Sequence, residues 1–180
     1  IKQDPRDAAE KARILARMTK GALAEIRILL MELRSSSLEQ HDLGTLVQYL
    51  ATALMGQTEA QVTVSNGGEK SVLPDDVKMG LYRMIQEALN NIVKHAQASR
   101  VKIRLYEEAD MVCLSVADNG VGFDVGSVRH GRSAAKKGSF GLHTMQERAQ
   151  ALNGTVMIES QAGQGTAVTV CLPQENGGSA

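Results

Sequence analysis

Four stretches of the chain combine residue types and spacings that chemistry could use. The first is Glu87-Ala88-Leu89-Asn90-Asn91-Ile92-Val93-Lys94-His95. On a helix it sends Glu87, Asn91, Lys94 and His95 from one face at i, i+4, i+7 and i+8, while Ile85, Leu89 and Ile92 hold the opposite face against a core. A carboxylate, an amide oxygen and two candidate cations in one row suit a magnesium-bound triphosphate. Asn91 can offer its oxygen to the metal, and Lys94 can meet the phosphates. Taken alone, the row also reads as an ordinary solvated helix face. The second stretch, Asp118-Asn119-Gly120-Val121-Gly122-Phe123, follows an apolar run directly. An ionised carboxylate only accepts hydrogen bonds, which suits the exocyclic amine of adenine. Guanine presents a carbonyl oxygen at that place, and a buried mismatch of this kind rejects the wrong base by roughly 10⁴-fold. The bland reading is a strand-ending turn.

The third stretch, Gly138-Ser139-Phe140-Gly141-Leu142, leads into a helix pattern. Free N–H groups and the helix dipole make such a start an anion site, although simple helix-start chemistry explains it too. The lysine-plus-serine ending of a P-loop is missing. The fourth, Gly163-Gln164-Gly165-Thr166, reads as a tight turn, with Thr166 placed to reach a base through water; alone it means little.

The elements that must position these residues follow from periodicity. Residues 5–35 predict one long helix, with Ala8, Ala12, Leu15, Ala22, Ile26, Leu29 and Leu33 recurring at helical spacing and Leu23 and Leu30 widening the stripe. At 1.5 Å per residue it spans roughly 45 Å, too long for a compact domain, so it is expected to pack in a bundle or a dimer. A second helix is predicted over 42–56. The alternating Gln61–Val64 piece and the turn Asn66-Gly67-Gly68 predict a strand and hairpin. A strong helix follows over 75–96, then strands over 100–106 and 111–117. Residues 119–140 form a long glycine-rich loop with Arg129, His130, Arg132, Lys136 and Lys137, longer than a compact domain keeps without a task. A helix over 141–152 and two strands, 155–160 and 167–172, finish the pattern. The fold class is therefore a two-layer α/β sandwich, its mixed and mostly antiparallel sheet carrying helices on one face, preceded by a long N-terminal helix.

In their order and spacing the four stretches resemble the N, G1, G2 and final glycine-threonine motifs of the ATPase superfamily shared by histidine kinases, type II topoisomerases, heat-shock 90 chaperones and mismatch-repair ATPases, over about residues 72–173. Within it the chain looks most like sensor histidine kinases of the nitrate-sensor and desaturase-sensor type. Glu87 to Ala96 resembles that subfamily's first motif, and Gly141-Leu142-His143-Thr144-Met145-Gln146-Glu147-Arg148-Ala149 its helix after the lid. Ala22 to Arg27 and Glu32-Leu33-Arg34 resemble the second helix of its dimerization hairpin. The resemblance implies a Bergerat-type fold, ATP and magnesium as ligands, and transfer of the γ-phosphate to a histidine and then to a response-regulator aspartate. It implies Asn91 on magnesium, Asp118 on the adenine amine, and Gly120, Gly122 and Phe123 along the base pocket. Lys94, His95 and Thr166 would join the nucleotide contacts, Gly138 to Leu142 would anchor the closing lid, and Glu87 would support metal and phosphate geometry. It divides the chain into 1–37 as the second dimerization helix, 38–173 as the catalytic domain and 174–180 as a frayed tail.

One departure matters. The phosphorylated histidine of such kinases precedes that second helix, and none of His41, His130 or His143 fits the role. The chain is expected to bind ATP without phosphorylating itself at the usual place. The rival readings are an ATP hydrolase or serine kinase of the same superfamily and a non-catalytic nucleotide-sensing module; the long leading helix argues against the serine kinase.

Bulk composition agrees. Twenty basic residues balance twenty acidic ones and aromatics are 3%, which leaves neither a basic stripe nor a base-stacking platform for nucleic acid. With 43% apolar residues, one real core can form. No apolar run approaches a membrane span, and a start at Ile1 is expected of a piece of a longer protein, a cytoplasmic domain whose membrane anchor, if any, lies upstream. Cys113 and Cys171 are too far apart for a zinc site and read as two reduced core cysteines.

Overall fold

A computed structural model describes residues 5–33, 40–67, 73–126 and 138–174 of the chain. Two helices come first, α1 (Pro5–Leu33) and α2 (Leu43–Gln57), then strand β1 (Gln61–Asn66) and helix α3 (Asp75–Asn91). Strands β2 (Arg100–Glu108) and β3 (Met111–Asp118) follow, then α4 (Gly138–Ala151), β4 (Thr155–Ser160) and β5 (Thr166–Pro173). The five strands form one sheet in the order β1-β2-β3-β5-β4, with β1 parallel to β2 and the other pairs antiparallel.

Alternation decides which face of the sheet is covered. Val101, Ile103 and Leu105 of β2, Val112, Leu114 and Val116 of β3, and Val168, Val170 and Leu172 of β5 are buried, and all belong to the core that Leu81, Ile85 and Leu89 of α3 and Met145 of α4 complete. Each such side chain stabilises the fold by about 1.5–3 kcal/mol relative to exposure. The intervening residues look the other way, and Arg100, Lys102 and Arg104 on β2 are exposed. The two-layer sandwich with helices on one face is as expected.

Several expectations are corrected. The turn after β1 does not begin a hairpin. β1 instead lies parallel beside β2, from Gln61 opposite Arg100 to Asn66 opposite Leu105, and α3 carries the chain between them, as parallel neighbours require. Residues 68–72 lie outside the described ones. The helix predicted over 75–96 is α-helical only to Asn91; Ile92–Ala96 form a wider π-turn, closed by Gln97 in the left-handed region at φ 51°. The helix after the long loop starts at Gly138 rather than 141, and the cationic centre of that loop, residues 127–137, is outside the described residues, as are 175–180 of the expected tail. Finally, Cys113 and Cys171 are not reduced. They face each other across β3 and β5 and are joined as a disulfide.

α1 docks through a face that large-residue periodicity did not single out. Gly21, Ala24, Ile28 and Met31 are buried, whereas Leu15, Met18, Ile26, Leu29 and Leu33 stay exposed. The crossing point is glycine on glycine: a Cβ on Gly21 would strike the backbone of Gly56 in α2, and a Cβ on Gly56 would strike Gly21. Further along, the Glu32 carboxylate accepts from Arg83 (2.7 Å), Tyr82 (3.1 Å) and Gln86 (3.1 Å), tying α1 to α3. Burial, with the Glu32 charge behind it, pushes the Tyr82 hydroxyl well above its ordinary pKa. The Asp42 side chain caps α2 by accepting from Thr45 N (2.7 Å), and the bond from the Thr45 hydroxyl is the main reason its carboxyl lies below the usual range.

Candidate functional site

The central strand β3 ends at Asp118, directly opposite Thr166 at the start of β5. The carboxylate is half-buried, and burial raises its pKa above the ordinary carboxylate value. Backbone amides of Gly120, at 2.7 Å, and of Thr166 pull the other way. An open cleft of about 590 Å³ lies at these strand ends, lined by Asp118, Val125, Ile158, Ser160, Gly165 and Thr166 among others.

Glycines bring the loops around Asp118 together. Gly120 is buried, and a Cβ there would run into the Ala96 carbonyl at the end of the π-turn, which also accepts from Val121 N at 2.8 Å. Gly122 has φ +57°, and a Cβ on it would meet the Gln161 and Gly165 carbonyls. Gly163 N donates to the Val121 carbonyl at 2.6 Å. Gly165, at φ +81°, packs so closely on Asp118 that a side chain would collide with its carbonyl. Only glycine meets both demands, a left-handed backbone and direct backbone contact.

Two polar residues complete the frame: Ser160, outside every motif, and Asn119, inside the second motif but given no role by it. Ser160 Oγ accepts from Phe123 N (2.9 Å), donates to the Gly165 carbonyl (3.0 Å) and shares a hydrogen bond with Thr166 Oγ1 (3.0 Å). Asn119 Oδ1 accepts from Ser99 N (3.0 Å) and Arg100 N (2.8 Å), anchoring the start of the loop to the start of β2. Polar residues beside a glycine-rich turn were the available signal; their partners depend on how distant strands meet.

The α3 residues are placed in two groups. Glu87 and Asn91 are half-buried, one turn apart. Lys94 and His95 are exposed on the π-turn, whose extra residue per turn shifts them from their α-helical phase relative to Asn91. Gly141, in the first turn of α4, lies against Glu87: a Cβ there would collide with the Glu87 carboxylate. Of the predicted lid anchor, Gly138, Ser139 and Phe140 form the first turn of α4, while Leu142 is partly buried against the core. Asp118, Thr166 and their supporting glycines thus gather at one cleft, and Glu87 gathers with the α4 start. Neither Glu87 nor Asn91 lines the cleft itself.

The donor set suits a magnesium nucleotide better than a metal held by protein alone. Among the described residues no group of three or more His, Cys, Asp or Glu could hold a metal ion. An amide oxygen and one carboxylate a turn apart match magnesium, which keeps its waters and arrives on phosphates. No helix among the described residues is long and apolar enough to cross a membrane.

Residues 76–176 match the family model described as histidine kinase-, DNA gyrase B- and HSP90-like ATPase. Among curated proteins, the chain is 35% identical over 170 residues to the signal transduction histidine-protein kinase/phosphatase DegS of Brevibacillus brevis, covering 93% of this chain and 42% of that protein. It is 37% identical over 180 residues to a sensor-like histidine kinase of Chloroflexus aurantiacus, covering 98% and 30%. The chain thus spans less than half the length of these relatives. Among solved structures, the histidine kinase domain of the Erythrobacter litoralis EL346 blue-light activated histidine kinase superposes with a TM-score of 0.60 at 19% identity, over 94% of this chain and 95% of that one. The Acinetobacter baumannii histidine kinase AdeS gives 0.59 at 14% identity, over 98% and 88%. At such identities the structures speak to the fold alone.

Proposed function

The chain belongs to the family of histidine kinase-, DNA gyrase B- and HSP90-like ATPases, as the catalytic domain of a sensor histidine kinase, and from that premise we propose that it binds magnesium-ATP and, within a longer protein, passes the γ-phosphoryl group to a histidine outside this chain. The observation that carries the reading is Asp118: a half-buried carboxylate at a strand end, steadied by two backbone amides and opening on a cleft of about 590 Å³.

Each group then has a task. Asp118 accepts from the adenine amine and excludes guanine. Gly120, Gly122 and Gly165 hold the loops around Asp118, Phe123 is tied to Ser160 through its backbone N, and Thr166 stands opposite Asp118; Phe123 joins them in the proposed base pocket. Asn91 would supply an oxygen to magnesium, and Glu87 would support the metal and phosphate geometry. Lys94 and His95 face the phosphates from the π-turn, while the N–H groups of Gly138 to Leu142, at the positive end of α4, receive them. Magnesium, when bound, neutralises the developing phosphate charge. Segment 1–37 contributes, through α1, the second helix of a dimerization hairpin and 38–173 the catalytic domain, in a homodimer whose phosphohistidine serves a response regulator.

Calorimetric titration tests the reading. Saturable heat with magnesium-ATP and none with magnesium-GTP is the expected result. No heat with any adenosine nucleotide, with or without divalent cation, would overturn it. Supplying a histidine-bearing dimerization hairpin in trans should then yield acid-labile phosphate on that hairpin; binding without transfer would reduce the domain to a nucleotide sensor.

A further inference from the structure

We propose that Cys113 and Cys171 form a reversible dithiol–disulfide site on the open face of the sheet, taking small-molecule thiols and disulfides as reactants. The pair lies in register, so the bond joins two residues already opposed in the β3–β5 ladder. It belongs to the face turned away from the helices, because the buried Val112 and Leu114 flanking Cys113 point into the core. Cys113 is 1% exposed, whereas Cys171 is partly open to solvent, so the two sulfurs differ in access.

That difference orders the chemistry. A thiolate of the monothiol class attacks Sγ of Cys171, breaking the Sγ–Sγ bond and forming a mixed disulfide with Cys171. Cys113 leaves as thiolate and takes up a proton. A second thiolate attacks the outer sulfur of the mixed disulfide, releasing Cys171 as thiolate, which is protonated in turn. Two thiols are oxidised to one small disulfide and the protein disulfide is reduced to two thiols, a balanced two-electron exchange. Oxidation by a small disulfide is the same sequence reversed.

The place of the bond gives the exchange a consequence. The two cysteines are 58 residues apart, and the covalent ring they close contains Asp118, the whole 119–137 loop, α4 and Thr166. Closing a ring of that size restricts the unfolded chain strongly. Reversibility rests in part on the ATP reading: a domain that uses ATP works where thiols are kept reduced, and disulfides there are catalytic or redox-sensing. The thiol count that tests it does not depend on nucleotide.

The experiment incubates the folded chain in glutathione buffers, from glutathione disulfide alone to a large excess of glutathione, then alkylates it and counts modified thiols by mass. The expected result is a two-way passage between zero and two alkylated cysteines. Melting should fall by roughly 5–15 °C on reduction, and a C113A/C171A variant should show no response to the buffer. Two free thiols under every oxidising buffer would overturn the proposal. So would a bond that native protein keeps in the largest glutathione excess, which would make it a permanent staple. If the thiol count behaves as expected while no nucleotide binds, the ATP reading fails and the exchange site stands.

Discussion

The two ends of the β3–β5 ladder are held by opposite means. At one end Asp118 faces Thr166, and order comes from glycines without side chains, backbone amides and one serine hydroxyl. Five rungs away Cys113 faces Cys171, and order comes from a covalent bond. The covalent end can change only by chemistry. The polar end holds a charged group half out of water, tuned by a few hydrogen bonds, so ligand, pH and single substitutions act there.

Breaking the polar end should separate binding from folding. Asp118→Asn replaces a charged, acceptor-only group with a neutral amide that presents one acceptor and one donor, and should weaken magnesium-ATP binding by about 10²–10³-fold with little change in melting. Calorimetry and a thermal scan on the same sample check both halves, and undiminished affinity would end the base-recognition argument. Next in size, Gly122→Ala puts a Cβ into two carbonyls at φ +57° and should cost about 2–3 kcal/mol of stability, read as a melting shift of several degrees. An unchanged melt would mean that the loop relaxes freely.

Acidification should act on the same end. In the role proposed for Asp118 the ionised carboxylate is the stronger acceptor for the adenine amine, so affinity should be full above its pKa and fall as pH drops through it. Burial raises that pKa, so the loss should begin at a higher pH than for an ordinary aspartate and be missing from Asp118→Asn. Titrations at stepped pH decide it: a flat profile down to the ordinary carboxylate range contradicts the raised value. The smallest effect belongs to Ser160→Ala, which strips an acceptor from Phe123 N and should cost about 1 kcal/mol of stability with a few-fold loss of affinity. An equal affinity loss from changing Cys113 and Cys171 together would erase the distinction between the ends.

What sequence revealed, and what it hid, follows the range of the forces involved. The strand pattern of β2, β3 and β5 and the apolar stripe of α3 were legible because burial repeats every two or three to four residues. Asp118 and its glycines were legible as a motif. The parallel pairing of β1 was not, because Asn66-Gly67-Gly68 looks locally like a hairpin turn, and the true partner strand lies beyond an intervening helix. The docking face of α1 was misjudged for a related reason. Periodicity weights large side chains, while contact there depends on Gly21 and Ala24, whose smallness lets a neighbour approach. The π-turn and the roles of Ser160 and Asn119 depend on loops meeting in space, and the cysteine pairing on strand register, which a spacing of 58 residues does not state.

The glycine crossing between α1 and α2 has a mechanical corollary. Backbone lying on backbone sets the closest approach of the two helices at Gly21 and Gly56, and Ala24, Ile28 and Met31 are buried further along the same face. On one side of the crossing, Arg17 aside, residues 7–20 of α1 are exposed. On the other, Glu32 lies roughly 16 Å along the axis, gripping the helix that bears Glu87 and Asn91. The exposed arm and the helix bearing Glu87 and Asn91 are thus joined through one unbroken helix, anchored at Gly21, Ala24, Ile28 and Met31 before Glu32 makes its polar contacts.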